Sequence, residues 1–367
     1  MFFNAVKAIV HRVADWHNWP FYLFYFPIAY AWVWYYIKTR SLWFYTASNP
    51  TLSFGGFEGE AKSEMYRQLP PELYPKSIFT QSSAPFAEVI NQLHVAGICY
   101  PLVAKPDVGM KGLLFRKIEN EQQLKIYHAQ MPATYVIQEF VDLPCEVSIF
   151  YCRKPTSAQG EITAFIEKKL LEVVGDGIST LQTLINNNAE AKVFLGKIKK
   201  QNACNLQSVL PAGETFCISH IANLYNGARF VDLTDKVNNT LLQLFDDISH
   251  QTQFLYGRYD IKCRSVEDML AGKHFIILEF NGAGSVPNHI HAGKYNLSQA
   301  YKEILKHWKA MYEISHDNNY NNGIQYWSFL KGYRFLQNSK QYFNQLKKLD
   351  KELDLNVQSN ALAQMHC

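Results

Sequence analysis

The chain has 367 residues, enough for one large or two modest cores, with 48% hydrophobic and 19% charged residues. Its formal charge of +4 is spread without any long Lys/Arg run, which suits an anionic nucleotide but excludes the usual footprint of a nucleic-acid binder. The seven cysteines are odd in number and lack a C-x-x-C pair; they read as a reduced, cytoplasmic set and exclude a disulfide frame or zinc site.

The N-terminal region is aromatic: seventeen Phe, Tyr and Trp fall in the first 45 residues, and no charge occurs from Trp19 to Ile37. Met1 to Trp16 places Phe2, Val6, Ile9, Val10 and Val13 on one helical face, away from Lys7, His11 and Arg12, an amphipathic membrane-surface pattern. Phe21 to Ile37 is just long enough to cross a hydrocarbon core of roughly 30 Å. Pro20, Pro27 and the Trp/Tyr load look more like interfacial material, and Lys38 and Arg40 follow as at a cytoplasmic boundary. Three readings stay open for residues 1–45: an anchor lying in the membrane through residues 1–40, a true span, and a buried aromatic helix. Residues 46–75 carry Asn49-Pro50, Gly55-Gly56, Gly59 and three prolines, and read as a linker or as a substrate loop bearing Glu58, Glu60 and Lys62.

Tyr100 to Ala104 is an apolar strand that ends on Lys105-Pro106 and enters a loop with Gly109, Lys111 and Gly112. A lysine at a strand end followed by flexible backbone suits phosphate, because the ammonium is a point charge and glycines let N–H groups approach oxygens. It is not a Walker loop, and an ordinary glycine turn would look the same. Next, a strand from Tyr135 runs through Gln138 to Glu139, and a Phe140-Val141 connection leads to a second strand at Glu146. Such a hinge offers backbone groups to a base edge and carboxylates to ribose hydroxyls; a plain hairpin fits equally.

Near the last third, Arg258-Tyr-Asp260 is followed after eighteen residues by Glu279-Phe-Asn281. Residues i and i+2 of a strand share a face, so two carboxylates and an amide oxygen converge as hard ligands of the kind that hold Mg²⁺ against phosphates. Two hairpin strands with solvated polar ends are the alternative. Gln325 to Leu353 is read as a helix, after a polar linker at Asp317 to Asn322.

In this order and spacing, these elements resemble the ATP-grasp superfamily, and within it the carboxylate–amine ligases related to D-alanine–D-alanine ligase and cyanophycin synthetase. Lys168-Lys169, the Val174-Gly175-Asp176-Gly177 turn, the Ala222–Gly227 stretch and Val231 to Asp235 are similar to the cyanophycin synthetase branch. The resemblance covers about residues 75 to 315. It departs in two places: the loop after Asn281 lacks the Pro-Gly-Met turn of the dipeptide ligase, and no Rossmann-like substrate domain precedes Lys105.

The resemblance implies an α+β ATP-grasp fold, two subdomains clamping ATP, over residues 76–315, with a C-terminal helical extension at 316–367. It implies an ADP-forming ligase joining a carboxylate to an amine through an acyl phosphate; a tethered nucleotide-binding protein and an ATP-grasp kinase are the alternatives. ATP would lie on Lys105, Gly109, Lys111, Gly112, Gln138, Glu139, Phe140, Val141, Glu146, Lys168 and Lys169. Mg²⁺ (or Mn²⁺) would lie on Asp260, Glu279 and Asn281. Arg258 would stabilise the acyl phosphate or the oxyanion, and Lys169 is preferred over Lys168 as the second cation. The expected substrates are a small amino acid or peptide-like acid and an amine, in the cytoplasm or on the inner face of its membrane. An exported domain would lack ATP, which argues against reading Thr46-Ala47-Ser48 as a signal cleavage site.

Overall fold

The computed structural model describes residues 16, 19–110, 112–188, 191, 206–218, 228–292 and 295–353. In chain order the helices are α1 (Phe21–Tyr25), α2 (Ala29–Thr39), α3 (Lys62–Tyr66), α4 (Phe86–Ala96), α5 (Glu121–Gln130), α6 (Leu181–Asn187), α7 (Asn239–Thr252), α8 (Val266–Leu270), α9 (Leu297–Asn322) and α10 (Phe329–Glu352). The strands are β1 (Ser77–Thr80), β2 (Leu102–Pro106), β3 (Arg116–Ile118), β4 (Tyr135–Glu139), β5 (Cys145–Cys152), β6 (Glu161–Lys169), β7 (Glu172–Val174), β8 (Thr215–Cys217), β9 (Arg229–Asp232), β10 (Tyr256–Cys263) and β11 (Phe275–Asn281).

They form two main antiparallel sheets, ordered β1-β4-β2-β3 and β11-β10-β5-β6-β9, and a small β7-β8 pair. Helices and antiparallel sheets together make this the α+β class expected from the sequence. The first sheet buries Leu102, Ala104, Tyr135 and Ile137 against Val89 and Leu93 of α4 and Leu124 and Tyr127 of α5. Phe343 and Leu346 of α10 enter the same core, so the C-terminal helix braces the first sheet. The second sheet has two covered faces. Val147, Ile149, Phe165, Tyr259 and Ile261 meet Phe245 and Ile248 of α7 on one side. On the other, Phe150, Ala164 and Ile166 meet Tyr35 of α2, Phe44, Phe54, and Met311 and Ile314 of α9.

Three expectations are corrected. Residues 46–75 are not a linker: Ala47, Ser48, Asn49 and Phe54 are fully buried beside Phe44. Burial of each Phe contributes about 1.5–3 kcal/mol. Asn49 ties the segment to the second sheet, donating to Tyr256 O (2.8 Å) and accepting from Leu255 N (2.9 Å). Nor is Asp317 to Asn322 a linker. It continues α9, whose capping box at Asn296 and Gln299 starts the helix and whose left-handed Gly323 ends it. The break falls at 323–328, where Ser328 caps α10. Finally, the run from Trp19 to Ile37 is divided by a 3₁₀ turn at Phe26–Ile28 containing Pro27. Among the described residues no helix is long and apolar enough to cross a membrane.

Candidate active site

The site begins with an irregularity. Along β10 and β11, Arg258 faces Asn281 and Asp260 faces Glu279, but Ile261 then faces Ile277. Leu278 is the extra residue of a β-bulge. Without it, Phe275, Ile277, Glu279 and Asn281 would all point the same way. With it, Phe275, Ile277 and Phe280 enter the core while Glu279 and Asn281 join Asp260 on the opposite face. The Leu278 carbonyl accepts from the Tyr66 hydroxyl at 2.7 Å, which ties α3 to the bulge.

On that face, charges converge. Arg258 grips Asp260 through two hydrogen bonds of 3.2 and 3.1 Å and donates to Asn288 Oδ1 at 3.2 Å. Asn281 Nδ2 donates to Asp260 at 3.3 Å. Lys168, on β6 two strands away across β5, lies 2.8 Å from Asp260 Oδ1 and 3.1 Å from Glu146 Oε1. Burial alone would raise the Asp260 pKa, but Arg258 and Lys168 overcome it and hold the carboxyl down at about 2. Burial likewise opposes the Lys168 charge, and Asp260 and Glu146 outweigh it, so its pKa is raised.

Lys169, the preferred second cation in the sequence, points away. One residue further along β6 it reaches the other face, is exposed, and lies 3.5 Å from Glu167. The period of two in a strand makes adjacent lysines exclusive choices, and the one that the structure brings to the cluster is Lys168.

The phosphate-binding candidates sit on the first sheet. Lys105 is the fourth residue of β2, paired with Val136 of β4, and burial, then the nearby Lys62, lower its pKa to about 7. Gly109 and Gly112 lie in the loop that follows, Gly112 at φ +75° with open space around it; Lys111 lies outside the described residues. The hinge is partly engaged elsewhere. The Gln138 amide is turned inward onto Tyr66 and Ser77 at 2.9 and 2.8 Å, so its side chain is not offered to a ligand. Glu139 Oε1 accepts from Lys76 N at 2.9 Å. Phe140 and Val141 follow β4, with Lys117 4.9 Å over the Phe140 ring. The Ala222–Gly227 stretch also lies outside the described residues.

Lys62 was legible only as part of a possible substrate loop. It opens α3, where Ala61 bridges Val108 and Ser63 holds both oxygens of Asp107 at 2.8 Å. Its ammonium lies 3.6 Å from Glu279. Lys62 therefore connects the loop after β2 to the β11 carboxylate. Glu60 beside it is pushed up to about 7, first by burial and then by Glu279. Gly55 and Gly56, both at positive φ, let this segment pass under the loop after β11. Ala283 N donates to Gly55 O and Gly284 N to Gly56 O, and a Cβ on Gly56 would stand 2.8 Å from Gly282 Cα. Asn288, which holds Arg258, had no signal in the sequence beyond its place in that loop.

Among the described residues, no three His, Cys, Asp or Glu converge as a metal-ligand cluster. The donor set here is instead two facing carboxylates and an amide, hard oxygens of the sort that Mg²⁺ takes alongside phosphate.

No family model matches the chain. Among curated proteins it is similar to cyanophycin synthetase of Synechocystis sp., at 24% identity over 147 residues, covering 36% of this chain and 17% of that protein. Among solved structures it is similar to a bifunctional glutathione synthetase from Pasteurella multocida, at 15% identity over 66% of this chain and 35% of the other, with a TM-score of 0.38. It is also similar to a D-alanine–D-alanine ligase from Bacillus anthracis, at 12% identity over 69% and 68% of the two chains, with a TM-score of 0.37. The chain thus spans well under two thirds of the length of the first two of these proteins.

Proposed function

We propose that this chain is an ATP-dependent, ADP-forming carboxylate–amine ligase acting in the cytoplasm, with a small amino acid or peptide-like acid and an amine as substrates. The observation that carries the reading is the meeting of two half-sites. A lysine-tipped strand with its glycine loop comes from one sheet, and a carboxylate–amide–arginine face comes from the other, with Lys62 to Glu279 between them.

In this reading a substrate carboxylate oxygen attacks the γ-phosphorus of ATP, the bond to the β-phosphate oxygen breaks, and ADP leaves. The amine nitrogen then attacks the acyl carbon, losing its proton, and inorganic phosphate departs with the former carboxylate oxygen. The chain's contribution is positioning and charge neutralisation. Lys105 holds α/β-phosphate oxygens, and the backbone around Gly109 and Gly112 lies over them. Phe140 and Val141 supply backbone groups to the base, and Glu146 reaches the ribose. Lys168 and Lys62 supply the cations nearest the transferred group. Arg258, fixed by Asp260 and Asn288, faces the developing oxyanion. Glu279, Asn281 and Asp260 would hold Mg²⁺ (or Mn²⁺), which would neutralise phosphate charge when bound.

The test is a screen of amino acids and short peptides for substrate-dependent ADP release, each with and without an added amine. Ligation predicts ADP and free phosphate together only when acid and amine are both present. ADP without free phosphate would indicate a kinase, and ATP binding with no turnover on any acid a nucleotide-binding protein that does not ligate.

A further inference from the structure

Helix α2 is apolar on all sides. Ala31 and Tyr35 face inward, Tyr35 stacking on Tyr312 of α9 at 4.6 Å, and Trp32 packs on Phe44 and Trp308. Among the described residues nothing covers the opposite face, which continues onto α1 and the 3₁₀ turn. Phe21 is 76%, Tyr22 74%, Phe26 80% and Tyr30 65% exposed, and Val33, Trp34 and Ile37 continue the same surface. A helix that is apolar all round is normally buried on every side, and a contiguous aromatic surface of this kind marks an interaction site.

Charge says what covers it. Between α2 and α9 runs a groove of about 830 Å³ lined by Tyr30, Val33, Trp34 and Ile37 on one side, with Lys302, Lys306 and Lys309 on the other and no acidic residue in its lining. The lysines recur at i, i+4 and i+7, one helical face. Lys302 has no acidic partner among the described residues, Lys306 lies 3.1 Å from Glu161, and Lys309 lies 3.7 Å from Glu313, which Lys154 also holds at 2.9 Å. Lys38, over the Trp34 ring at 4.8 Å, and exposed Arg40 extend the basic edge. Aromatic side chains bordered by lysine match the headgroup zone of an anionic bilayer, where rings insert and ammonium groups meet phosphate. At 11 residues α2 is too short to span one.

We propose that the α1–α2 face and the lysine row of α9 form a docking surface for an anionic phospholipid bilayer, on which the protein lies without crossing. This surface is independent of the ligase reading, because no residue placed at the nucleotide or metal belongs to it.

The experiment sediments the full chain with vesicles of phosphatidylcholine mixed with phosphatidylglycerol, and with vesicles of phosphatidylcholine alone. Sedimentation with the mixed vesicles is expected, and much less with the neutral ones. The double variant Phe21→Ser/Phe26→Ser, at two solvent-facing positions, should lower partitioning at least about tenfold. Lys302→Glu/Lys309→Glu should lower it about fivefold for each charge, selectively on the mixed vesicles. ATP affinity should be unchanged in both variants, which separates loss of docking from loss of fold. Three results would overturn the proposal: a parent protein that stays in the supernatant, equal sedimentation with both vesicle types, or variants that sediment like the parent. A lipid-free dimer abolished by Phe21→Ser/Phe26→Ser, without vesicle binding, would assign the surface to a second copy of the chain instead.

Discussion

Asp260 and Glu279 are direct partners across β10 and β11, two carboxylates on one face of an antiparallel pair. Like charges so placed repel. The protein tolerates the pairing by surrounding it with cations, Arg258 and Lys168 on Asp260 and Lys62 on Glu279. The bulge at Leu278 is what brings the two carboxylates to one face.

Glu279→Gln removes one of the facing charges while keeping the shape. The variant should fold at least as well as the parent, yet lose the Mg²⁺ dependence of ATP binding and about 10²–10³-fold in ADP formation. Calorimetric titration of ATP with and without Mg²⁺ checks the first part. Retention of the parent's metal dependence would remove Glu279 from the metal site.

Lys168 and Lys169 should part company on stability. Lys168→Ala leaves the partly buried Asp260 and Glu146 with a lost partner, a change that should cost about 1–3 kcal/mol. Lys169→Ala removes an exposed lysine whose ion pair with Glu167 is at the surface and should stay within about 0.5 kcal/mol of the parent. Urea denaturation of the two variants decides it, and equal midpoints would contradict the assignment of Lys168 to the interior.

Gly56→Ala places a Cβ 2.8 Å from Gly282 at a φ of +69°, where both the contact and the backbone are unfavourable. Gly112→Ala shares the unfavourable φ but meets nothing within 4 Å. Melting temperature should therefore fall further for Gly56→Ala. Because Gly56 supports the loop carrying Asn288, its variant should also weaken the acid substrate more than ATP, as read from the two Michaelis constants.

Alternation made part of the arrangement legible in the sequence: Arg258 shares a face with Asp260, Glu279 shares one with Asn281, and Lys105 stands near a strand end. The pairing of those strands was not legible, since a bulge depends on which residue is left unpaired, and Leu278 looks like any other strand leucine. The Lys168/Lys169 choice failed for a related reason. Adjacent residues of a strand are equivalent in composition and opposite in direction, so only the register of β6 separates them. Residues 46–75 misled through their glycines and prolines, which signal turns equally well on a surface and inside a core. What places them inside is the contact of Phe44 and Phe54 with α9 and α10, distant in sequence and invisible to local pattern.

The Lys105 ammonium gives a pH signature. Its pKa in the folded chain is about 7, lowered from 10.5 by burial. Between those values the unfolded chain binds more protons than the folded one, so this lysine makes stability rise with pH across the window and costs most below it. Phosphate oxygens favour the charged form, so ATP binding above pH about 7 should take up a proton at Lys105. Calorimetry at pH about 8, in buffers of differing ionisation heat, should show an apparent enthalpy that varies with the buffer, and Lys105→Met should flatten that dependence while weakening ATP binding. A parent protein whose binding enthalpy ignores the buffer would mean that Lys105 is already charged before the nucleotide arrives, or that the phosphates lie elsewhere.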